Sequence, residues 1–252
     1  MADIMNRLTK LWRFFAGPPL REIERREKER NHFSKGLNFF KLFWIFFIGC
    51  FAGVVVEEIW CVANYHVFES RTALIFGPFN PVYGFGAVGM TLGLYALRFK
   101  NDFVILIGGS IIGGIIEYAC SWVQEKVFGT VSWDYSDMPF NINGRICLLY
   151  CLFWGILSII WMKMLYPRIS SLILKIPNKT GVILSWSLAI FMAFNMIFSS
   201  AAVNRWSQRV NNTPPATSFE RFLDRNFNDK IMSIIYPNMI FPQNGSIAAR
   251  DM

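Results

Sequence analysis

"NFFKLFWIFFIGCFAGVVVEEIW", Asn38–Trp60, decides what kind of protein this is. A helix of about 20 apolar residues crosses the hydrocarbon of a bilayer. No water reaches its backbone there, so every N–H and C=O must bond within the segment. Four more apolar segments of similar length follow, at about 81–99, 103–123, 145–166 and 181–203. The pattern predicts an all-α integral membrane protein with five transmembrane helices. Composition agrees: of 252 residues, 54% are apolar and only 17% charged, where a soluble domain carries about 25% charge. Mean hydropathy is positive.

The charges gather at the ends, which divides the chain into a basic segment over 1–36, a membrane domain over 37–203 and a polar tail over 204–252. "IMNRLTKLWRFF" interleaves Ile4, Met5, Leu8, Leu11, Trp12 and Phe15 with Arg7, Lys10 and Arg13. That spacing predicts an interfacial helix on an anionic leaflet. "GPP" at Gly17–Pro19 ends it, and "REIERREKER" follows as a mixed-charge helix with a solvated face. Lys and Arg beside the spans are concentrated on the side holding Arg98, Lys100, Lys163, Arg168, Lys175 and Lys179, while the opposite loops hold only Arg71, Lys126 and Arg145. The positive-inside bias predicts a multi-pass cell-membrane protein with a cytoplasmic N-terminus and an extracytoplasmic C-terminus, against which Arg205 and Arg209 in the tail run slightly. In the tail, "FERFLDRNF" is a candidate short amphipathic helix.

An internal echo organises the spans. "GVVVEEIWCVANYHVF" (Gly53–Phe68) lies over "GGIIEYACSWVQEKVF" (Gly113–Phe128) at an offset of 60, matching Gly53 with Gly113 and Glu57 with Glu117. Pro78-Phe79-Asn80 then matches Pro139-Phe140-Asn141, and Gly84 matches Gly144. Two spans per unit predict a parallel repeat, helices 1–2 and 3–4, with the fifth added outside. Both "PFN" runs are expected to cap the helix that follows, an Asn side chain accepting from free helix-start N–H groups.

Ionisable groups at membrane depth face a bundle interior or a wet cavity. Glu57 and Glu117 sit in the outer third of helices 1 and 3, each one turn after a glycine where a neighbouring backbone can approach. The loops add Asn80 and Tyr83 from "GPFNPVYGFG", and Trp133, Asp134, Tyr135, Asn141, Asn143 and Arg145 from "SWDYSDMPFNINGR". Together these predict an outward-facing polar cavity. In a purely structural network, Arg145 would pair with Glu57, Glu117 or Asp134, and Glu125 would be solvated.

Other chemistries are poorly served. The cysteines Cys50, Cys61, Cys120, Cys147 and Cys151 are odd in number, lie mostly in apolar runs and form no CxxC. With two histidines and no HExxH there is no zinc set, and no metal site or cofactor is expected. No GxxxxGK[ST] is present for ATP, and the basic residues sit beside spans as leaflet contacts, with no nucleic-acid motif.

"GPFNPVYGFGA", "GxxxEY" and "WDYSxxPFNxNGRICLxxxxxWG", with the tail "FLDRNFNDKIMSIIYPNM", resemble the bacterial multi-span family known as putative ABC-transporter type IV, over about residues 40–200. The resemblance implies Glu57, Glu117, Trp133, Asp134, Tyr135, Asn141, Gly144 and Arg145 as motif positions. The long basic N-terminal segment departs from it, and Asn80 stands at a place expected to vary.

The expectation is a transport-related membrane protein, a permease-like or accessory subunit binding a small polar or cationic solute. Expected partners are membrane lipids, further copies of the chain, or a separate ATPase subunit. Two alternatives stay open. One is a membrane-embedded enzyme acting on a lipid or cell-envelope substrate through Asp134, Glu117 and Arg145, disfavoured by the lack of a serine elbow, paired histidines or a metal signature. The other is a structural scaffold within a membrane complex.

Overall fold

The computed structural model describes residues 18–239 and 241; the interfacial helix expected over residues 4–15 lies outside them. Among the described residues there is no strand, only an isolated bridge between Ile142 and Ile146. The helices are α1 (Leu20–Glu29), α2 (Phe39–Tyr65), α3 (Pro81–Leu94), α4 (Asp102–Phe128), α5 (Leu148–Ile160), α6 (Tyr166–Ile173), α7 (Asn178–Val210), α8 (Ser218–Asn226) and α9 (Asp229–Ile235). A π-turn over Trp161–Leu165 joins α5 to α6. Pro167 has no N–H for the Lys163 carbonyl and its ring crowds that turn, so the ladder widens there while the rod runs on.

Among the described residues, four helical stretches are long and apolar enough to cross a membrane: Phe39–Tyr65, Asp102–Val127, Leu148–Ile173 and Asn178–Val210. The second expected span is shorter. Its α-helix stops at Leu94, and a single 3₁₀ turn, Tyr95–Leu97, carries it on. The fourth starts three residues later than expected, at Leu148, and the fifth runs past residue 203 to Val210. Ile59, Phe103, Ile115 and Ile197 are each more than 60% exposed on these helices, which is the outward apolar surface a lipid-facing helix needs.

The chain divides into two compact units. Of the described residues, one comprises 18–47, 86–114 and 149–189. Its core is Ile45, Met90, Leu94, Ile105, Trp161, Met162 and Tyr166. Here α4 and α5 approach closely: a Cβ on Gly109 would overlap Ser158, and one on Gly155 would overlap Ser110. The charged helix α1 is not simply a solvated face. Ile23 and Glu27, one turn apart, are buried, and Glu27 forms an ion pair with Lys41 of α2, both almost fully enclosed. Glu24 accepts from the Tyr95 hydroxyl (2.8 Å) and from Arg98 Nε (2.9 Å).

The other unit comprises, of the described residues, 48–85, 115–148, 190–239 and 241. Its core packs Ala202, Val203 and Trp206 of α7 against Leu223, Met232 and Tyr236 of the tail. The amphipathic tail helix appears as α8, opened by a capping box between Thr217 and Glu220. All ten candidate residues belong to this second unit.

Candidate functional site

Glu57 lies on α2, one turn after Gly53. A Cβ on Gly53 would overlap the Tyr83 ring, so an aromatic side chain, and not a neighbouring backbone, occupies the space the glycine leaves. Gly113 is filled in the same way by the Trp154 ring. The Tyr83 hydroxyl donates to Glu57 Oε2. Asn80 sets where α3 starts, its Oδ1 accepting from Val82 N (3.0 Å) while its own N–H donates to Cys50 O (3.0 Å). The first "PFN" is therefore a helix cap.

The second is not. Asn141 Oδ1 accepts from Gly144 N (3.1 Å), and Asn141 Nδ2 donates to Ser136 O and Met138 O. These bonds close a compact loop before α5 begins at Leu148. Asp134 Oδ1 accepts from Ser136 N (3.0 Å) and Oγ (2.6 Å), and Tyr135 N donates to Gly144 O (2.7 Å). Trp133 Nε1 donates to Arg145 O at 3.0 Å. The loop thus holds Tyr135 still, and its hydroxyl donates to Glu117 Oε1 at 2.9 Å. Glu117 is 6% exposed.

Each repeat-matched glutamate therefore accepts a tyrosine hydroxyl, from α3 for Glu57 and from the loop for Glu117. Arg145 joins neither carboxylate: it pairs with Glu125, and its guanidinium carbon lies 5.5 Å from the Tyr118 ring centroid. Asn143 Nδ2 donates to the Tyr118 hydroxyl at 2.9 Å. Glu125 is accordingly an ion-pair partner as well as a partly exposed helix-end carboxylate.

Sequence reasoning missed Arg71, which it counted only for topology. Arg71 Nη1 lies 3.8 Å from Glu57 Oε1, and Nη2 lies 3.0 Å from Glu69 Oε2 and donates to Cys61 Sγ at 3.2 Å. The available signal was a lone basic residue in an outer loop after a span bearing a carboxylate. All five cysteines are free thiols, and Cys61 is a hydrogen-bond acceptor as well as a packed small side chain. Among the described residues, no group of three or more His, Cys, Asp or Glu could hold a metal ion. Phenol–carboxylate pairs flanked by one arginine can accept a proton or a cationic or hydrogen-bonding solute.

Residues 44–200 match the family model described as Putative ABC-transporter type IV. Neither the curated proteins nor the solved structures contain a significant match.

Proposed function

The chain belongs to the family described as Putative ABC-transporter type IV, and from that premise we propose that it is a transport-related subunit, permease-like or accessory. It binds a small polar or cationic solute at Glu57 and Glu117 in an outward-facing cavity. Asn80, Tyr83, Trp133, Asp134, Tyr135, Asn141, Asn143 and Arg145 bind alongside them or hold the site in shape. One observation supports this most: two carboxylates on membrane helices each accept a phenol hydroxyl from a different segment. Carboxylates on membrane helices that hydrogen-bond neutral phenols suit a cation or a proton.

In this reading Pro81–Leu97 is a fifth span, and helices 1–2 and 3–4 are a parallel repeat. The N-terminus is cytoplasmic in the cell membrane and the tail extracytoplasmic. The two arginines that oppose this orientation, Arg205 and Arg209, are neutralised by Asp224 and Asp229. With no P-loop of its own, the chain would take energy from a separate ATPase subunit or from an ion gradient. In proteoliposomes challenged with small cations and polar solutes, Glu57→Gln/Glu117→Gln should abolish uptake while the melting temperature holds. Unchanged uptake in that variant would end this reading.

A further inference from the structure

A half-open cavity that the carboxylate pair does not line lies between α7, the tail and the loop after α2. It has a volume of about 360 Å³ and is walled by Trp206, Tyr236, Phe241, Met239, Ser233 and Glu69, among others. That size is in the range of small-ligand pockets. Trp206 lies in its wall. The Phe241 ring meets it edge-on at 4.8 Å and 79°, and the Tyr236 ring is tilted against it at 6.4 Å and 31°. Glu69 is brought to the rim because Ser70 Oγ donates to Ile235 O at 3.0 Å, tying the loop after α2 to the end of α9. Burial pushes the Tyr236 phenol well above its usual range, so that wall stays neutral.

Three aromatic walls and one carboxylate, with no Lys or Arg in the lining, suit a cation with an apolar periphery. Glu69, although paired with Arg71 at 3.0 Å, is the one charged group in the lining. A hard metal ion would need several oxygen ligands. A quaternary ammonium satisfies both features, its methyl groups lying on ring faces and its charge facing Glu69. We propose that this cavity binds an alkylated ammonium group, from a free small molecule or from a lipid headgroup. The site is separate from the Glu57/Glu117 reading and does not need it.

The test uses the full chain in a detergent without choline groups, titrated with tetramethylammonium chloride and followed by calorimetry and tryptophan fluorescence. Saturable binding that equal sodium chloride does not reproduce is expected, weakened about tenfold by Glu69→Gln and by Phe241→Ala. Phe241 packs on Trp206 in the tail core, so the melting temperature of Phe241→Ala is read beside its binding, and Glu69→Gln tests the pocket without touching that core. Glu57→Gln/Glu117→Gln should keep this binding, which separates the pocket from the carboxylate pair. Phosphatidylcholine nanodiscs that block tetramethylammonium, where phosphatidylglycerol nanodiscs do not, would assign the site to a lipid headgroup. Equal binding in both nanodiscs would assign it to a free ion. No saturable binding in any of these settings, or binding untouched by both pocket variants, would overturn the proposal.

Discussion

At the residue scale, the least forgiving pair is Glu27 with Lys41, 2% and 0% exposed. Lys41 stands in the first turn of a membrane helix, and α1 supplies its counter-charge. Glu27 also accepts from Gly36 N at 3.2 Å, which fixes the turn between the helices. Removing one partner leaves a buried charge uncompensated, at a cost of about 3–5 kcal/mol, whereas replacing both by apolar side chains is often neutral. Glu27→Gln should therefore lower the melting temperature sharply, and Glu27→Leu/Lys41→Leu should recover most of it in a double-mutant thermal series. Gly144 is a second such point. Its φ is 66°, and a Cβ there would lie 2.5 Å from Asp134 Oδ1. Gly144→Ala should cost about 1–2 kcal/mol from the left-handed backbone alone. Hydrogen exchange should show the loop around Tyr135 loosening from Glu117.

The tail helices show, at the scale of elements, how a polar segment is held to a membrane helix. Arg205 of α7 grips Asp224 of α8 with two bonds, Nε to Oδ1 at 2.9 Å and Nη2 to Oδ2 at 3.0 Å. Arg209 adds Asp224 and Asp229, at 2.7 Å each. Hydrogen bonding from Arg205 holds the Asp224 carboxyl below its ordinary range. A carboxyl depressed in the folded state adds stability above its unfolded pKa of about 3.9, and that stability is lost as pH falls through the lower folded value. The tail should therefore stay docked at neutral pH and loosen below about pH 4. Asp224→Asn should remove that acid step and weaken docking already at neutral pH, both read from Trp206 fluorescence. The first "PFN" could be read as a cap because capping is local, Asn80 to Val82. Its partner formed a closed loop because Gly144 turns left-handed and binds Asn141, a contact that the matching glycine in α3 does not repeat.

For the whole molecule, the testable quantity is the number of crossings. The α-helix Pro81–Leu94 and its 3₁₀ turn rise about 27 Å together, close to the roughly 30 Å of a hydrocarbon core. If this stretch spans, a cysteine at Lys100 or Lys175 labels from the cytoplasmic side and one at Phe140 from the opposite side. If it does not, all three labels reverse relative to the N-terminus. The tip residue Phe140 is 80% exposed, so its label reports sidedness directly.

The sequence by itself determined that this is a helical membrane protein, where its long apolar helices lie, and which family it joins. Insertion into lipid depends on hydropathy summed over about 20 residues, and such a sum tolerates local error. Only the tertiary structure decided that Arg145 pairs with Glu125, that Arg71 reaches Glu57, that α1 buries a charge against Lys41, and that rings fill the space beside Gly53 and Gly113. Those outcomes turn on which of several polar groups comes within about 3 Å of another. Residues distant in sequence reach that range only after the helices have packed.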